Sequence, residues 1–303
     1  MANGGNSAPR LMNDRRTPAL RRHAVPTFLD FDYRANLLMS PIGENWDEGV
    51  KETHRQSRTQ VVEGLGKQFG GVDLERKVDD FSAIGSLPSS IVAHHNMLVR
   101  QVRDAFVAGQ YYPALTGACA LGERILNHLI LDLRDNFRAT PEFKYTYGKS
   151  SFDDWSHAIK TLEAWRVLEP ESAVALRELE QLRHRSLHFN PDTVVKVREH
   201  ALAAIRNLMK VIEYQFGAFG CRPWFIEGTL GMCFIKKDWE AHPFISKYYL
   251  PLCPKVGHLF TWMHTDTGWA ACDFEHYEND REVTDEEFKE LFNNRDLSKC
   301  AGH

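Results

Sequence analysis

The chain has 303 residues, of which 43% are hydrophobic and 26% are charged, and its formal net charge is −4. These values are ordinary for a globular protein. The negative net charge argues against a broad basic surface that covers nucleic acid. It is compatible with a nuclease that has a small local basic site.

Targeting and redox signals are weak throughout the sequence. No apolar run approaches the roughly 18–20 residues that a membrane helix needs. The arginine pairs at 15–16 and 21–22 precede no apolar stretch, so a secretory leader is not expected. The six cysteines are scattered without a CxxC pair, as is typical of reduced thiols. We therefore expect a cytoplasmic protein that does not associate with a membrane.

The first 88 residues divide into two segments. Residues 1–26 contain five arginines and one aspartate among Pro, Gly and Asn, which predicts a disordered basic N-terminal arm. Such an arm could also contact RNA or another polyanion. Residues 27–88 are of mixed character, with two amphipathic helices predicted by the apolar positions Val50, Val61, Leu65 and Phe69 and then Leu74, Val78 and Phe81.

Residues 89–220 show apolar stripes at helical spacing in five consecutive segments. The first covers residues 92–106, and a long second helix covers residues 112–137. A capping box at residues 151–154 begins the third helix, and Pro170 begins the fourth. Pro191 ends the fourth, and Asp192 caps the fifth, which ends near Gly217. Short links between amphipathic helices predict an antiparallel bundle.

Residues 221–303 are rich in aromatic residues and are interrupted by Pro and Gly. They predict a small α+β segment, with a hairpin formed by residues 259–264 and 269–274 and a last helix near residues 285–292. Its tail is acidic, with nine Asp and Glu residues between 273 and 290. The aromatic side chains either pack a core or stack on RNA bases. The spacing of the cysteines and histidines fits no zinc ribbon or finger, which favours buried thiols.

The end of the fourth helix concentrates basic side chains next to a helix break, in the order Arg183-His184-Arg185-Ser186-Leu187-His188-Phe189-Asn190. A phosphate held between Arg183 and His188 would meet a planar, permanently charged donor and a group that titrates near neutrality. These are the groups needed to cleave RNA without a metal. The imidazole removes the proton from a 2′-hydroxyl, and the guanidinium stabilises the charge that develops on phosphorus.

Two other interpretations fit the same residues. A cationic helix end is favoured by the helix dipole and is often simply solvated. Alternatively, His184 and His188 lie four residues apart on one helical face, as in a zincin HExxH pair. Arg185 occupies the position of the catalytic Glu, and no third ligand is evident, so the metal interpretation is disfavoured.

Residues 92–219 resemble a HEPN domain. The resemblance rests on a helix, a long helix that begins in a Gly/Ala-rich stretch, a variable linker, and a helix that ends in the HEPN signature. That signature is Arg, then Asn, Asp or His, then three residues, then His. Arg183, His184 and His188 match it. The resemblance covers about 130 of the 303 residues; residues 27–85 and 221–303 resemble no family.

The resemblance implies a metal-independent endoribonuclease, commonly a toxin or an antiviral or abortive-infection effector, that acts as a homodimer and uses no cofactor. It implies that Arg183 and His188 are catalytic and that His184 is a supporting polar residue. Arg185 belongs to the same basic group. Asn190 occupies the position of the Tyr that is adenylylated in some HEPN toxins, so that form of silencing is not expected.

Glu123, in the long helix beside Arg124, has two possible roles. It could orient His188, or it could form an internal ion pair with Arg124 or Arg183. Possible partners of the whole protein are an RNA substrate and an antitoxin or defence-system protein. The alternative function is a non-catalytic helical module that binds a partner protein, RNA or a nucleotide.

Overall fold

A computed structural model describes residues 20–26, 32–187, 194–266, 268–277 and 281–301. The chain is mainly helical and divides into two units. The helical unit comprises Pro26–Pro223 and Glu240–Leu252. The aromatic unit comprises Met1–Val25, Trp224–Trp239 and Cys253–His303.

Within its described residues the helical unit has ten α-helices. They are α1 Arg34–Met39, α2 Glu48–Phe69, α3 Leu74–Ile84, α4 Ala93–Val107, α5 Tyr111–Leu133, α6 Phe143–Thr146, α7 Trp155–Ala164, α8 Pro170–Leu187, α9 Val197–Phe216 and α10 Pro243–Tyr248. Short 3-10 turns follow α5 and α10, at Arg134–Phe137 and Leu250–Leu252.

The core of this unit forms around α5, which contacts α4, α7, α8 and α9. About half of the residues of α5 are buried, and an exposed stripe that includes Arg124 and His128 runs along the remaining side. Its buried side chains include Leu115, Ala118, Leu121, Ile125, Leu126, Leu129, Ile130 and Leu133. The five helices predicted for residues 89–220 are present as α4, α5, α7, α8 and α9, and the two predicted for residues 27–88 are present as α2 and α3.

Three helix boundaries differ from the predictions. Asp154 alone caps α7, by accepting a hydrogen bond from the His157 backbone N–H, so the predicted capping box is not formed as such. The fifth helix, α9, begins at Val197 after Lys196, which makes no side-chain cap; the predicted cap, Asp192, lies outside the described residues. The long second helix ends at Leu133 and continues as a 3-10 turn.

The aromatic unit contains two antiparallel strand pairs and one α-helix in its described part. The strands are β1 Arg22–His23, β2 Lys255–Val256, β3 Thr261–Thr265 and β4 Gly268–Cys272; the helix is α11 Asp285–Asn293, and 3-10 turns lie at Lys237–Trp239 and Leu297–Lys299. In the hairpin β3–β4, Thr265 pairs with Gly268, as the predicted turn requires. The predicted hairpin and the last helix are therefore confirmed.

Residues 20–25 correct the prediction of a disordered arm. β1 pairs with β2, so that Arg22 lies opposite Val256. The Arg22 side chain is 1% exposed and donates to Asp285 at 2.7 Å and to the Val283 carbonyl at 2.6 Å. Its partners are more than 260 residues away in the chain, so local composition could not reveal them. Residues 1–19 lie outside the described residues.

Most aromatic side chains between residues 221 and 303 are buried in a hydrophobic core. Phe234, Phe260, Phe288 and Phe292 form the centre of the aromatic unit, whereas Trp269 is 52% exposed. None of the six cysteines, all of which lie in described parts of the chain, forms a disulfide. In those same parts, no helix is long and apolar enough to cross a membrane.

Candidate functional site

Arg183 lies near the C-terminal end of α8 and reaches the neighbouring helix α5. Its Nη2 atom is 3.0 Å from Oε2 of Glu123, and the two side chains are 22% and 34% exposed. Of the two roles considered for Glu123, the structure therefore contains the ion pair with Arg183. A half-exposed pair of this kind keeps part of the guanidinium accessible to a ligand.

Trp155, the first residue of α7, contacts both members of this pair. Its indole N–H donates to Glu123 Oε2 at 3.4 Å, and the Arg183 guanidinium carbon lies 5.7 Å from the centre of its ring. Trp155 is only 1% exposed, so packing fixes its orientation. The Arg183 side chain is thus restrained by a carboxylate and by an aromatic face.

Gly122 permits this close approach of α7 and α8 to α5. A Cβ atom at this position would lie 2.6 Å from Cδ2 of Leu179 on α8 and 2.8 Å from the Trp155 ring. Both distances are well below ordinary van der Waals contact. The glycine that precedes Glu123 is therefore required for the position of Trp155.

Asn127 lies one helical turn after Glu123 and connects α5 to the segment before α7. Its amide donates to the Glu123 carbonyl at 3.0 Å, and its side-chain oxygen accepts from the Phe152 backbone N–H at 2.7 Å. These bonds fix the chain that leads into Trp155.

A groove of about 670 Å³ lies beside Arg183, and we call it the Arg183 groove. Two positive side chains, Arg183 and Arg124, and one carboxylate, Glu123, line it. Its remaining lining residues are Leu98, Gln101, Val102, Ala105, Pro113, Gly117, Ala120, Leu121 and Asn127. The size is within the range of small-molecule or nucleotide sites. An anion in this groove would meet an excess of one positive charge.

His184 and Arg185 are both exposed, unlike Arg183. His184 is 57% exposed, and its Nε2 atom lies 3.8 Å from Glu180 on its own helix. Glu180 in turn accepts from the Ser156 backbone N–H at 3.0 Å. Arg185 is exposed. The structure therefore brings Arg183 together with Glu123, but not with His184.

His188 and Asn190 lie outside the described residues, and α8 is described as far as Leu187. His188 is the next residue in the chain. Its proposed role rests on the sequence signature and on the position of Arg183.

The described residues near the site contain neither a metal-binding group nor an activated thiol. Within the described parts of the chain, no group of three or more His, Cys, Asp and Glu side chains is arranged to hold a metal ion. Cys119 lies one helical turn before Glu123, and burial raises the pKa of its thiol to about 12. The thiol is therefore protonated at neutral pH and is a poor nucleophile.

Sequence reasoning did not identify Trp155 and Gly122 as parts of the site. The available signal was that Gly122, a poor helix former, directly precedes the charged Glu123 inside a long amphipathic helix, where a close helix contact and a polar group can meet.

Comparisons with protein-family models, with curated proteins and with solved structures found no match. The resemblance to HEPN proteins is therefore carried by the residues of this chain alone.

Proposed function

We propose that the protein is a metal-independent endoribonuclease of the HEPN type. The observation that carries this proposal is the restraint of Arg183 by Glu123 and Trp155 at the edge of a groove, five residues before His188. A guanidinium held in position before substrate arrives is what electrostatic stabilisation of a transition state requires.

The proposed reaction uses the 2′-hydroxyl of the RNA as nucleophile. His188 accepts the hydroxyl proton while the bond from the 2′-oxygen to phosphorus forms. The bond from phosphorus to the 5′-oxygen breaks, and that oxygen takes up a proton. Arg183 stabilises the negative charge on the non-bridging oxygens. The products are a 2′,3′-cyclic phosphate and a 5′-hydroxyl.

The Glu123 carboxylate has a positioning role in this scheme. The carboxylate offsets part of the positive charge of Arg183. It also bonds to one edge of the planar guanidinium and so fixes its orientation, while the N–H groups on the other edge remain available to a phosphate. His184, Arg185 and Asn190 remain supporting residues of the signature region.

The biological setting follows from the resemblance. We infer a cytoplasmic toxin or antiviral-defence effector that is controlled by an antitoxin or another defence-system protein. A symmetric homodimer would place two Arg183 sites around one RNA, and symmetric dimers are the commonest oligomers. Mass measurement in solution tests the dimer, and a strict monomer at micromolar concentration counts against a composite site.

The first experiment incubates the purified protein with total RNA in the presence of EDTA. We expect cleavage to continue and the products to carry 2′,3′-cyclic phosphates. His188→Ala and Arg183→Ala should each reduce the rate by about 10²–10⁴-fold, which is the usual contribution of an acid–base group or of one charge-stabilising donor.

The matched control is Arg177→Ala. Arg177 lies on the same helix α8 and pairs with Glu163 on α7, but it does not line the Arg183 groove. This variant should cleave at the wild-type rate. Loss of all cleavage in EDTA, or products with 5′-phosphates, contradicts the mechanism and favours a metal held by His184 and His188.

The largely apolar lining of the Arg183 groove favours a second candidate, a module that binds a partner protein, RNA or a nucleotide without cleaving it. In that case Arg183→Ala weakens binding, His188→Ala leaves it unchanged, and the wild type yields no cleaved RNA.

A further inference from the structure

A second cavity of the helical unit lies on the other side of α4 from the Arg183 groove, and the two share no lining residue. We call it the Arg103 cavity. Its volume is about 650 Å³. Its lining comes from α1, α2, α3, α4 and the residues beside them: Asp32, Tyr33, Arg34, Leu37, Gln68, Phe81, Ile84, Leu87, Arg100, Arg103, Asp104 and Val107.

Arg103 is the most unusual residue of this lining, because its guanidinium is buried without a direct ion pair to a described carboxylate, although Asp32 and Asp104 are near enough to interact with its charge. The residue is 4% exposed. It donates to the Gly85 carbonyl at 2.7 Å, and its other close polar contact is the Met209 sulfur at 3.0 Å. Among the described residues, no carboxylate oxygen lies within ion-pair distance of it. Because neither Asp32 nor Asp104 bonds directly to Arg103, an anionic ligand that did so would offset part of the cost of burying its charge.

A second guanidinium shares the same aromatic ring. The guanidinium carbons of Arg34 and Arg103 lie 5.0 and 5.9 Å from the centre of Phe81. Asp32 accepts from the Arg34 side chain through Nε at 3.0 Å and Nη2 at 2.8 Å, and the Gln68 side-chain oxygen accepts from Nη1 at 3.2 Å and Nη2 at 3.1 Å. Arg34 is therefore held in place at the cavity, with 36% of its side chain exposed.

The charges of the lining favour an anion. Among the described lining residues, three guanidiniums (Arg34, Arg100 and Arg103) outnumber two carboxylates (Asp32 and Asp104). Burial lowers the pKa of Arg103 to about 10, so it is still charged at neutral pH. Burial raises the pKa of the Asp104 carboxyl above its ordinary value, against the opposing effect of the neighbouring arginines.

The rest of the lining is apolar and suits an organic body. Leu37, Phe81, Ile84, Leu87 and Val107 provide aliphatic and aromatic surface, and most of them are buried. A few polar groups in a mainly apolar cavity of this size are typical of small-molecule sites.

We propose that the Arg103 cavity binds a small organic anion, whose oxyanion group pairs with Arg103 and Arg34 and whose apolar body lies against Phe81 and the aliphatic side chains. This site is separate from the proposed nuclease centre and does not depend on it.

Three small probes that share one ring test the proposal: phenyl phosphate, benzoate and the neutral benzamide. We expect at least one of the two anions to bind by calorimetry with a Kd of about 1 mM or tighter, and benzamide to bind at least about 10-fold more weakly. Comparison of the two anions distinguishes a phosphate ester from a carboxylate as the preferred group.

Two variants locate the binding. Arg34→Gln and Arg103→Met should each weaken binding of the better anion by about 10-fold or more. Arg138→Gln is the control, because Arg138 pairs with Asp135 at 2.9 Å, is 70% exposed and lies outside the cavity. Arg34 is partly exposed, so its variant provides the test even if Arg103→Met does not fold.

Three results overturn the proposal. In the first, neither anion binds with a Kd of about 1 mM or tighter. In the second, benzamide binds as well as the anions. In the third, Arg34→Gln binds the anion as tightly as the wild type and Arg138→Gln.

Discussion

Two carboxylate–arginine clusters of the helical unit differ in how much solvent reaches the carboxylate. Asp80 on α3 is fully buried, and we call it and its partners the Asp80 cluster. Arg76 approaches one of its oxygens at 2.8 Å, Arg198 approaches the other at 2.7 Å, and the Tyr111 hydroxyl donates at 2.8 Å. Every oxygen of the carboxylate therefore has a donor.

The Glu123–Arg183 pair has the opposite character. Glu123 is 34% exposed, has one arginine partner, and lies beside a groove. In the Asp80 cluster the partners come from α3, α5 and α9, so the cluster connects the N-terminal helices to the bundle. In the Arg183 site, donors remain for a ligand.

Solvent access to the carboxylate separates a structural polar cluster from one that can act on a ligand. A carboxylate that is fully buried and fully hydrogen-bonded helps to hold the helices together. Removing one residue of such a cluster leaves the remaining buried charges unpaired. A half-exposed pair contributes little to stability and can exchange partners with a substrate. The predictions below test this distinction, from the largest expected change in stability to the smallest.

Asp80→Asn should lower the free energy of unfolding by about 2–3 kcal/mol. Removing one member of a buried pair usually costs about 3–5 kcal/mol, and the arginines here are 36% and 43% exposed, which reduces the loss. Chemical denaturation measures it. Asp135→Asn is the control, because Asp135 is 68% exposed and its loss should change stability by less than about 0.5 kcal/mol. Equal effects of the two variants would contradict the comparison.

His95 extends the comparison to a buried ionisable group without a counter-ion. Burial, with smaller contributions from His128, His94 and Arg124, lowers its pKa from 6.5 to about 3. Between these values the unfolded chain binds a proton that the folded chain does not, so stability falls as the pH falls. From pH 7.5 to 5.0 this single group should remove about 2 kcal/mol.

The measurement is denaturation at both pH values. His95→Gln should lose less stability than the wild type over this interval, by about 2 kcal/mol. His276→Gln serves as the control, since solvent reaches that 88% exposed side chain in the folded protein too. An unchanged pH dependence in His95→Gln would show that His95 is solvated.

Gly122→Ala should destabilise by about 1 kcal/mol, because overpacking against Leu179 and Trp155 exceeds the gain in helix propensity. It should also reduce RNA cleavage, since Trp155 positions Glu123 and Arg183. Gly64→Ala in α2 is the matched control: a Cβ atom there meets no atom within 4 Å. This control should stabilise by about 0.5–1 kcal/mol. A Gly122→Ala variant that is more stable than the wild type and fully active would show that this close packing does not position Arg183.

Local sequence determined most of the helices and the hairpin of the aromatic unit. Apolar residues at helical spacing indicated α2–α5 and α7–α9, because a helix that buries one face must repeat with its turn. Alternating strands around a short turn similarly indicated β3 and β4. The Arg183–His188 signature was also visible in sequence, as was Glu123 as a candidate partner.

Only the tertiary structure decided which distant residues meet. It joins residues 20–25 to β2 and α11, places Glu240–Leu252 with the helical unit, and gathers the Asp80 cluster and the Arg103 cavity from separate helices. The spacing of apolar residues along the sequence indicates which side of a helix or strand is apolar. It does not indicate which other helix or strand packs against that side. Pairings across tens to hundreds of residues depend on packing of the whole chain, so a buried arginine such as Arg22 or Arg103 looks in sequence like any solvated charge.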